Sequence, residues 1–87
     1  YKKYERDMLY LLPSIEVPEK NIALFIEFGF SSNNADIDNG VKPFLDILQK
    51  RYGFNDRYVT LLMVKKRIVE KGKEYIMFLI TEDAETR

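Results

Sequence analysis

The sequence contains no cysteine and no histidine. Without cysteine, the chain has no disulfide framework, no thiolate metal site and no thiol nucleophile. Without histidine, it lacks the usual general base, the serine triad and the imidazole ligand of zinc sites. Any metal site in this chain must therefore be built from oxygen ligands.

The sequence also lacks a long apolar run and a net charge. No run is long enough to span a membrane, and no signal peptide is recognisable, so we expect a cytoplasmic protein without a membrane partner. The 14 lysine and arginine residues balance the 14 aspartate and glutamate residues. Composition alone therefore does not point to nucleic acid.

The composition is that of a folded globular chain. Hydrophobic residues make up 46% of the 87 positions and charged residues 32%, which indicates a real core rather than disorder. This length allows one domain, spanning residues 1–87. Because a chain this short buries a modest fraction of its surface, we expect it to form oligomers.

Hydrophobic periodicity predicts two elements in the first third of the chain. In residues 1–12, apolar side chains recur every three or four positions between charged ones, which is typical of an amphipathic helix. Pro13 ends this helix, and a connector follows up to residue 20. Residues 21–30 alternate with apolar side chains on both faces until Glu27, which predicts a central strand.

The rest of the chain predicts a second helix and two more strands. The helix is expected to begin at Asp38, with Pro43 near its first turn, and to end at Tyr52 and Gly53. Its predicted buried stripe is Val41, Phe44, Leu45 and Leu48. Residues 58–64 and 75–81 are rich in β-branched and aromatic side chains, which favours a β-hairpin with a basic arm. The predicted class is α+β, a small mixed sheet with two helices packed on it.

Acidic residues gather where the strand pattern gives way to the helical one. If the chain is extended at Asp36 and Asp38, both carboxylates point to one side, with Cα atoms roughly 6.6 Å apart. Asp38 falls at the expected helix N-cap, and Lys42 follows one turn later. Asp56 precedes the second strand. Three acids and one lysine are the inventory of an oxygen-ligated magnesium site that acts on phosphates.

A simpler interpretation of these residues remains open. Aspartate is favoured in turns and at helix N-caps, where the helix dipole stabilises it. Asp56 also fits a loop acid in the turn of residues 53–56. Whether the second strand brings Asp56 towards the other two acids is not decided by the sequence.

The run Asp36-Ile-Asp38-Asn-Gly-Val-Lys42-Pro-Phe-Leu-Asp46, followed by Gly-Phe-Asn-Asp56, resembles the RusA family of Holliday-junction resolvases. These are small endodeoxyribonucleases of phages and prophages, and the resemblance covers most of the chain. The family usually begins with a further strand and a basic loop, which are missing here. The resemblance implies that Asp36, Asp38 and Asp56 bind catalytic Mg²⁺ and that Lys42 is essential for cleavage. It also implies a homodimer that cuts four-way junctions in DNA recombination and repair.

A basic stretch follows the second predicted strand. A charge run is usually a solvated face. With the resemblance, these side chains become candidate phosphate contacts, which would make binding depend on salt and on DNA shape. They are Lys65, Lys66, Arg67, Lys71 and Lys73.

Three alternatives to the assigned roles stay open. Asp46 is either a supporting acid of the site or the ion-pair partner of Lys42 or Lys50 along the helix. The whole chain is alternatively a catalytically silent junction-binding module of the same fold. It is otherwise a structural interaction domain in which the acids serve only as caps and turns.

Overall fold

The structure is a computed structural model that describes residues 12–84. The first strand, β1, covers Ile22–Phe30, and the helix α1 covers Val41–Tyr52. A single 3₁₀ turn, Asp56–Tyr58, leads into β2 at Val59–Ile68, and β3 follows at Tyr75–Glu82. The predicted α+β class and mixed sheet are confirmed. Of the two predicted helices, the N-terminal one lies outside the described residues except for Leu12.

The three strands form one mixed sheet in the order β2-β1-β3. β1 and β2 are parallel, with Ile22 opposite Val59 and Phe30 opposite Ile68. β1 and β3 are antiparallel, with Ile22 opposite Glu82. The central position predicted for β1 is confirmed, because β1 pairs with β2 along one edge and with β3 along the other.

The predicted hairpin between the second and third strands is wrong. β2 and β3 follow each other in the chain, but β1 lies between them in the sheet. The connection of residues 69–74 therefore passes the end of an intervening strand, and it includes a turn in which the N–H of Lys73 donates to the carbonyl of Glu70 at 3.0 Å. In this order, the most apolar strand, β1, is hydrogen-bonded along both of its edges. The two more polar strands, β2 and β3, are the edge strands of the sheet.

The core lies between the sheet and α1. The inward side chains of β1 meet Phe44, Ile47 and Leu48 of α1, all of them fully buried. Phe44 makes edge contacts with Phe28 and Phe78, at ring-centroid distances of 6.2 and 5.6 Å. The predicted stripe is confirmed for Phe44 and Leu48. The inward residues of β1 are Ile22, Leu24, Ile26 and Phe28.

The helix begins at Val41 and not at Asp38 as predicted. Gly40 occupies the N-cap, and a Cβ there would lie 2.9 Å from the ring of Phe28. The absence of a side chain at Gly40 therefore lets the helix start close against β1. The predicted end is confirmed, because Gly53 has a φ of 73° and donates its N–H to the carbonyl of Gln49.

The start of the described chain is held against the end of α1. Leu12 is buried in the core on the helix side of the sheet, and its carbonyl accepts hydrogen bonds from Arg51. The hydroxyl of Tyr52 donates to the carbonyl of Pro13 at 2.7 Å. Within residues 12–84, no helix is long and apolar enough to cross a membrane.

We expect Leu48→Ala to lower the free energy of unfolding by about 2–5 kcal/mol, because it leaves a cavity in the core. The matched control is Leu62→Ala, since Leu62 is 42% exposed; it should cost less than about 1 kcal/mol. Urea denaturation followed by circular dichroism measures both. Equal costs for the two variants would contradict the core described above.

Candidate metal and phosphate site

Asp36 and Asp38 lie in the loop between β1 and α1, which we call the acid turn (residues 36–41). The N–H of Asn39 donates to the carbonyl of Asp36 at 3.1 Å, and the N–H of Val41 donates to that of Asp38 at 3.2 Å. The chain is thus folded into consecutive turns here, and the predicted extended geometry is wrong. A turn keeps its first and fourth Cα atoms within about 7 Å, so the two exposed acids stay close together.

Asp38 is not the helix N-cap that the sequence predicted. The cap position belongs to Gly40, and no side chain caps the helix there. The carboxylate of Asp38 is therefore not assigned to a capping role. It lies just before the positive end of α1, where the helix dipole favours a negative charge or a bound phosphate.

Lys42 lies in the first turn of α1, and its Nζ contacts the Oδ1 of Asp46 at 3.1 Å. Asp46 therefore forms an ion pair with Lys42 along the helix, which is one of the two roles considered for it. The two side chains are 74% and 37% exposed. Exposed pairs of this spacing contribute about 0.3–0.5 kcal/mol, so a bound phosphate could compete with Asp46 for the ammonium group.

Lys66 connects the second strand to the acid turn. It faces the helix side of the sheet opposite Phe28, and its Nζ donates to the carbonyl of Ala35 at 2.8 Å. This hydrogen bond places an ammonium group next to Asp36. Sequence reasoning assigned Lys66 only to DNA contact, although its alternation with Leu62 and Val64 was a signal that it shares their face.

The connection between β2 and β3 lies beside the same loop. The N–H of Val69 donates to the carbonyl of Phe30 at 2.8 Å. A hydrogen bond from Ser31, together with one from the N–H of Gly72, holds the pKa of Glu74 below its ordinary value. These contacts join the connection to the end of β1.

The five basic residues proposed for DNA contact do not form one hairpin arm. Lys65 and Arg67 lie on the face of the sheet opposite to α1, whereas Lys66 lies on the helix side. Lys71 and Lys73 belong to the connection of residues 69–74. All five nevertheless lie near the end of the sheet that carries the acid turn, because β1 and β2 are parallel.

Asp56 lies at the opposite end of the sheet. It begins the 3₁₀ turn before β2, and its N–H donates to the Oε1 of Gln49 near the end of α1. Because β2 starts beside the start of β1, the nine residues of β1 separate Asp56 from the acid turn. At about 3.3 Å per residue, that separation is about 26 Å.

The expected pocket of three carboxylates is therefore not formed within one chain. Asp36 and Asp38 lie in the same turn, and Asp56 lies at the other end of the sheet. Over residues 12–84, the structure contains no group of three acidic side chains placed to hold a metal ion. Two carboxylates in one turn still suit Mg²⁺, which commonly binds one or two carboxylates together with waters and the phosphates of a substrate.

Comparisons with known proteins add no relative. No protein-family model matches the chain, and no significant match was found among curated proteins or solved structures.

We expect Lys66→Met to loosen the acid turn, because it removes the hydrogen bond to Ala35 while retaining an apolar stem. A hydrogen bond of this kind contributes about 0.5–1.5 kcal/mol, so the amides of Asn39 and Val41 should exchange about 2- to 12-fold faster. Hydrogen exchange followed by NMR measures this rate.

The control is Lys65→Met, because Lys65 is exposed and points to the other face of the sheet. Its exchange rates at Asn39 and Val41 should equal those of the unmodified protein. Unchanged rates in Lys66→Met would show that Lys66 does not position the turn.

Proposed function

We propose that this protein is a Mg²⁺-dependent endonuclease that cuts branched DNA, with the four-way junction of recombination and repair as its substrate. The observation that carries the proposal is the hydrogen bond from Lys66 to Ala35, which joins a basic strand end to a turn with two carboxylates. Carboxylates that can bind a divalent cation and basic side chains that can bind phosphate then lie at the same end of the sheet. The resemblance to RusA resolvases supports the choice of substrate.

In this proposal, Asp36 and Asp38 hold the metal through carboxylate oxygens. Mg²⁺ at such a site lowers the pKa of a bound water and stabilises negative charge on the attacked phosphate. Lys42 lies on the first turn of α1, and its exposed ammonium group stabilises the transition state or the leaving oxygen as a point charge.

The basic side chains near this end of the sheet supply an affinity for DNA that does not depend on base sequence. Lys65, Arg67, Lys71 and Lys73 are mostly exposed, so each can exchange a counterion for a phosphate of the backbone. Contacts of this kind position the DNA and carry no base sequence. Recognition would therefore follow the shape of the branch point.

Asp56 joins this site only from a second copy of the chain. About 26 Å along β1 separates it from the acid turn of its own chain. A two-fold dimer in which the strands of the two copies run in opposite directions places Asp56 of one copy at the acid-turn end of the other. The same symmetry suits a junction that is cut on two opposing strands, so dimerisation and metal binding would be linked.

We expect the unmodified protein to cut a synthetic four-way junction in the presence of Mg²⁺ and to leave it intact with EDTA. Asp36→Asn and Asp38→Asn should each lower the cleavage rate by at least about 100-fold, since removing a key charge-stabilising group costs about 2.7–4 kcal/mol or more. Glu27→Gln is the control, because Glu27 lies in the middle of β1 beside Lys65, away from the acid turn and from Asp56; this variant should cut at about the unmodified rate. Cleavage by Asp36→Asn at the unmodified rate would contradict the proposal.

Mixing two inactive variants tests the origin of Asp56. In a heterodimer of Asp36→Asn with Asp56→Asn, one of the two composite sites keeps all its carboxylates, so the mixture should nick junctions that neither variant cuts alone. If both variants are inactive and their mixture stays inactive, Asp56 does not act in trans. Junction binding without cleavage by the unmodified protein would instead identify a silent binding module.

A further inference from the structure

The acid turn contains an asparagine followed directly by a glycine, Asn39 and Gly40. An asparagine side chain can react with the backbone nitrogen of the next residue, which makes asparagine one of the thermolabile residues. The nitrogen attacks the side-chain Cγ, a five-membered succinimide ring forms, and the amide nitrogen leaves as ammonia. A side chain on the next residue obstructs this ring closure, and glycine has none.

The packing of the helix start requires the glycine at position 40. A Cβ there would lie 2.9 Å from the ring of Phe28. That ring is 2% exposed and packs against Phe44 in the core, so it has little room to move. The close approach of α1 to β1 therefore places the least obstructive residue type directly after Asn39.

The two groups that react at Asn39 make no hydrogen bond within residues 12–84. The side chain of Asn39 is exposed and has no hydrogen-bond partner there. The N–H of Gly40 has no acceptor among these residues, whereas the N–H groups of Asn39 and Val41 each donate to a carbonyl of the acid turn. The carbonyl of Gly40 accepts from Phe44. Attack by the nitrogen of Gly40 therefore breaks no hydrogen bond of the helix.

Two other exposed asparagines, Asn33 and Asn34, lie in the same loop but are followed by nitrogens that are already engaged. The N–H of Asn34 donates to the Oγ of Ser32 at 3.2 Å. The N–H of Ala35 donates to the carbonyl of Ser32 at 3.4 Å. Each of these hydrogen bonds must open before the nitrogen can attack the preceding side chain.

The remaining asparagines, Asn21 and Asn55, are protected as well. The N–H of Asp56, which follows Asn55, donates to the Oε1 of Gln49 at 2.9 Å. Asn21 is followed by Ile22, which is β-branched and fully buried. Among the five asparagines of the sequence, Asn39 thus combines an exposed side chain with a following nitrogen that is accessible.

We propose that Asn39 is a site of spontaneous deamidation in the folded protein. A C–N bond forms between Cγ of Asn39 and the nitrogen of Gly40, the bond from Cγ to the side-chain nitrogen breaks, and the proton of Gly40 leaves with the ammonia. Water then opens the ring to give aspartate or isoaspartate.

Either product changes the acid turn. It adds a carboxylate to a loop that already carries Asp36 and Asp38, and isoaspartate also inserts one methylene group into the backbone directly before α1. For the proposed nuclease, this would alter the number and the spacing of the carboxylates that hold Mg²⁺. That consequence alone rests on the proposed function, because the reaction at Asn39 needs only water.

Ageing of the full chain at neutral pH in EDTA, followed by peptide mapping with mass spectrometry, tests the proposal. In the native protein, Asn39 should convert at least about 10-fold faster than Asn34, because it has both a free neighbouring N–H and no Cβ on the next residue. In urea, Asn34 should convert faster than in the native protein. Equal native rates at Asn39 and Asn34, or an Asn39 that converts only in urea, would overturn the proposal.

A pair of glutamine variants assigns the new charge to one residue. Asn39→Gln should strongly slow the appearance of acidic species on ion exchange, because glutamine must close a six-membered ring, which forms more slowly. Asn34→Gln, the matched change in the same loop, should accumulate these species at the unmodified rate. Accumulation at that rate in Asn39→Gln would overturn the proposal. Because EDTA removes divalent cations, these results do not depend on whether the protein is a nuclease.

Discussion

The parallel pairing of β1 with β2 is the constraint on which the rest of the structure depends. Parallel neighbours require a crossover that returns the chain to the starting end of the sheet, and α1 provides it. The same helix covers one face of the sheet and buries Phe44, Ile47 and Leu48. The single crossover therefore forms both the core and the loop that carries the acid turn.

This pairing also decides which charged residues meet. The final residues of β1 and β2 lie at one end of the sheet, so Lys66 can reach the carbonyl of Ala35. Asp56 precedes β2 and is fixed at the other end. The proposed metal site thus has two carboxylates from one chain, and its third carboxylate is available only through a second copy.

Local signals in the sequence predicted a substantial part of the fold. The alternation in residues 21–30 predicted β1 and its central position, because the strand is apolar on both faces. Gly53 predicted the end of α1, since glycine adopts a left-handed conformation without a Cβ clash. Pro43 is the third residue of α1, where its missing N–H has no intrahelical acceptor. Each of these features depends on a few neighbouring residues.

Strand order and the composition of the site could not be predicted in the same way. The patterns of β2 and β3 fit a hairpin as well as two separated strands, and only contacts with β1 decide between them. The helix start was misplaced because Gly40 packs against Phe28, a contact between residues twelve positions apart. Asp56 lies at the other end of the sheet from the acid turn because β2 runs parallel to β1. A short sequence motif does not specify strand direction.

Paramagnetic broadening by Mn²⁺, a divalent ion with the same preference for oxygen ligands, tests the central claim most directly. In NMR spectra, the amides of Asp36 and Asp38 should broaden at low Mn²⁺ concentration. In the Asp36→Asn variant, the broadening at Asp38 should be strongly reduced. Absence of broadening at the acid turn, or equal broadening in Asp36→Asn, would contradict the account.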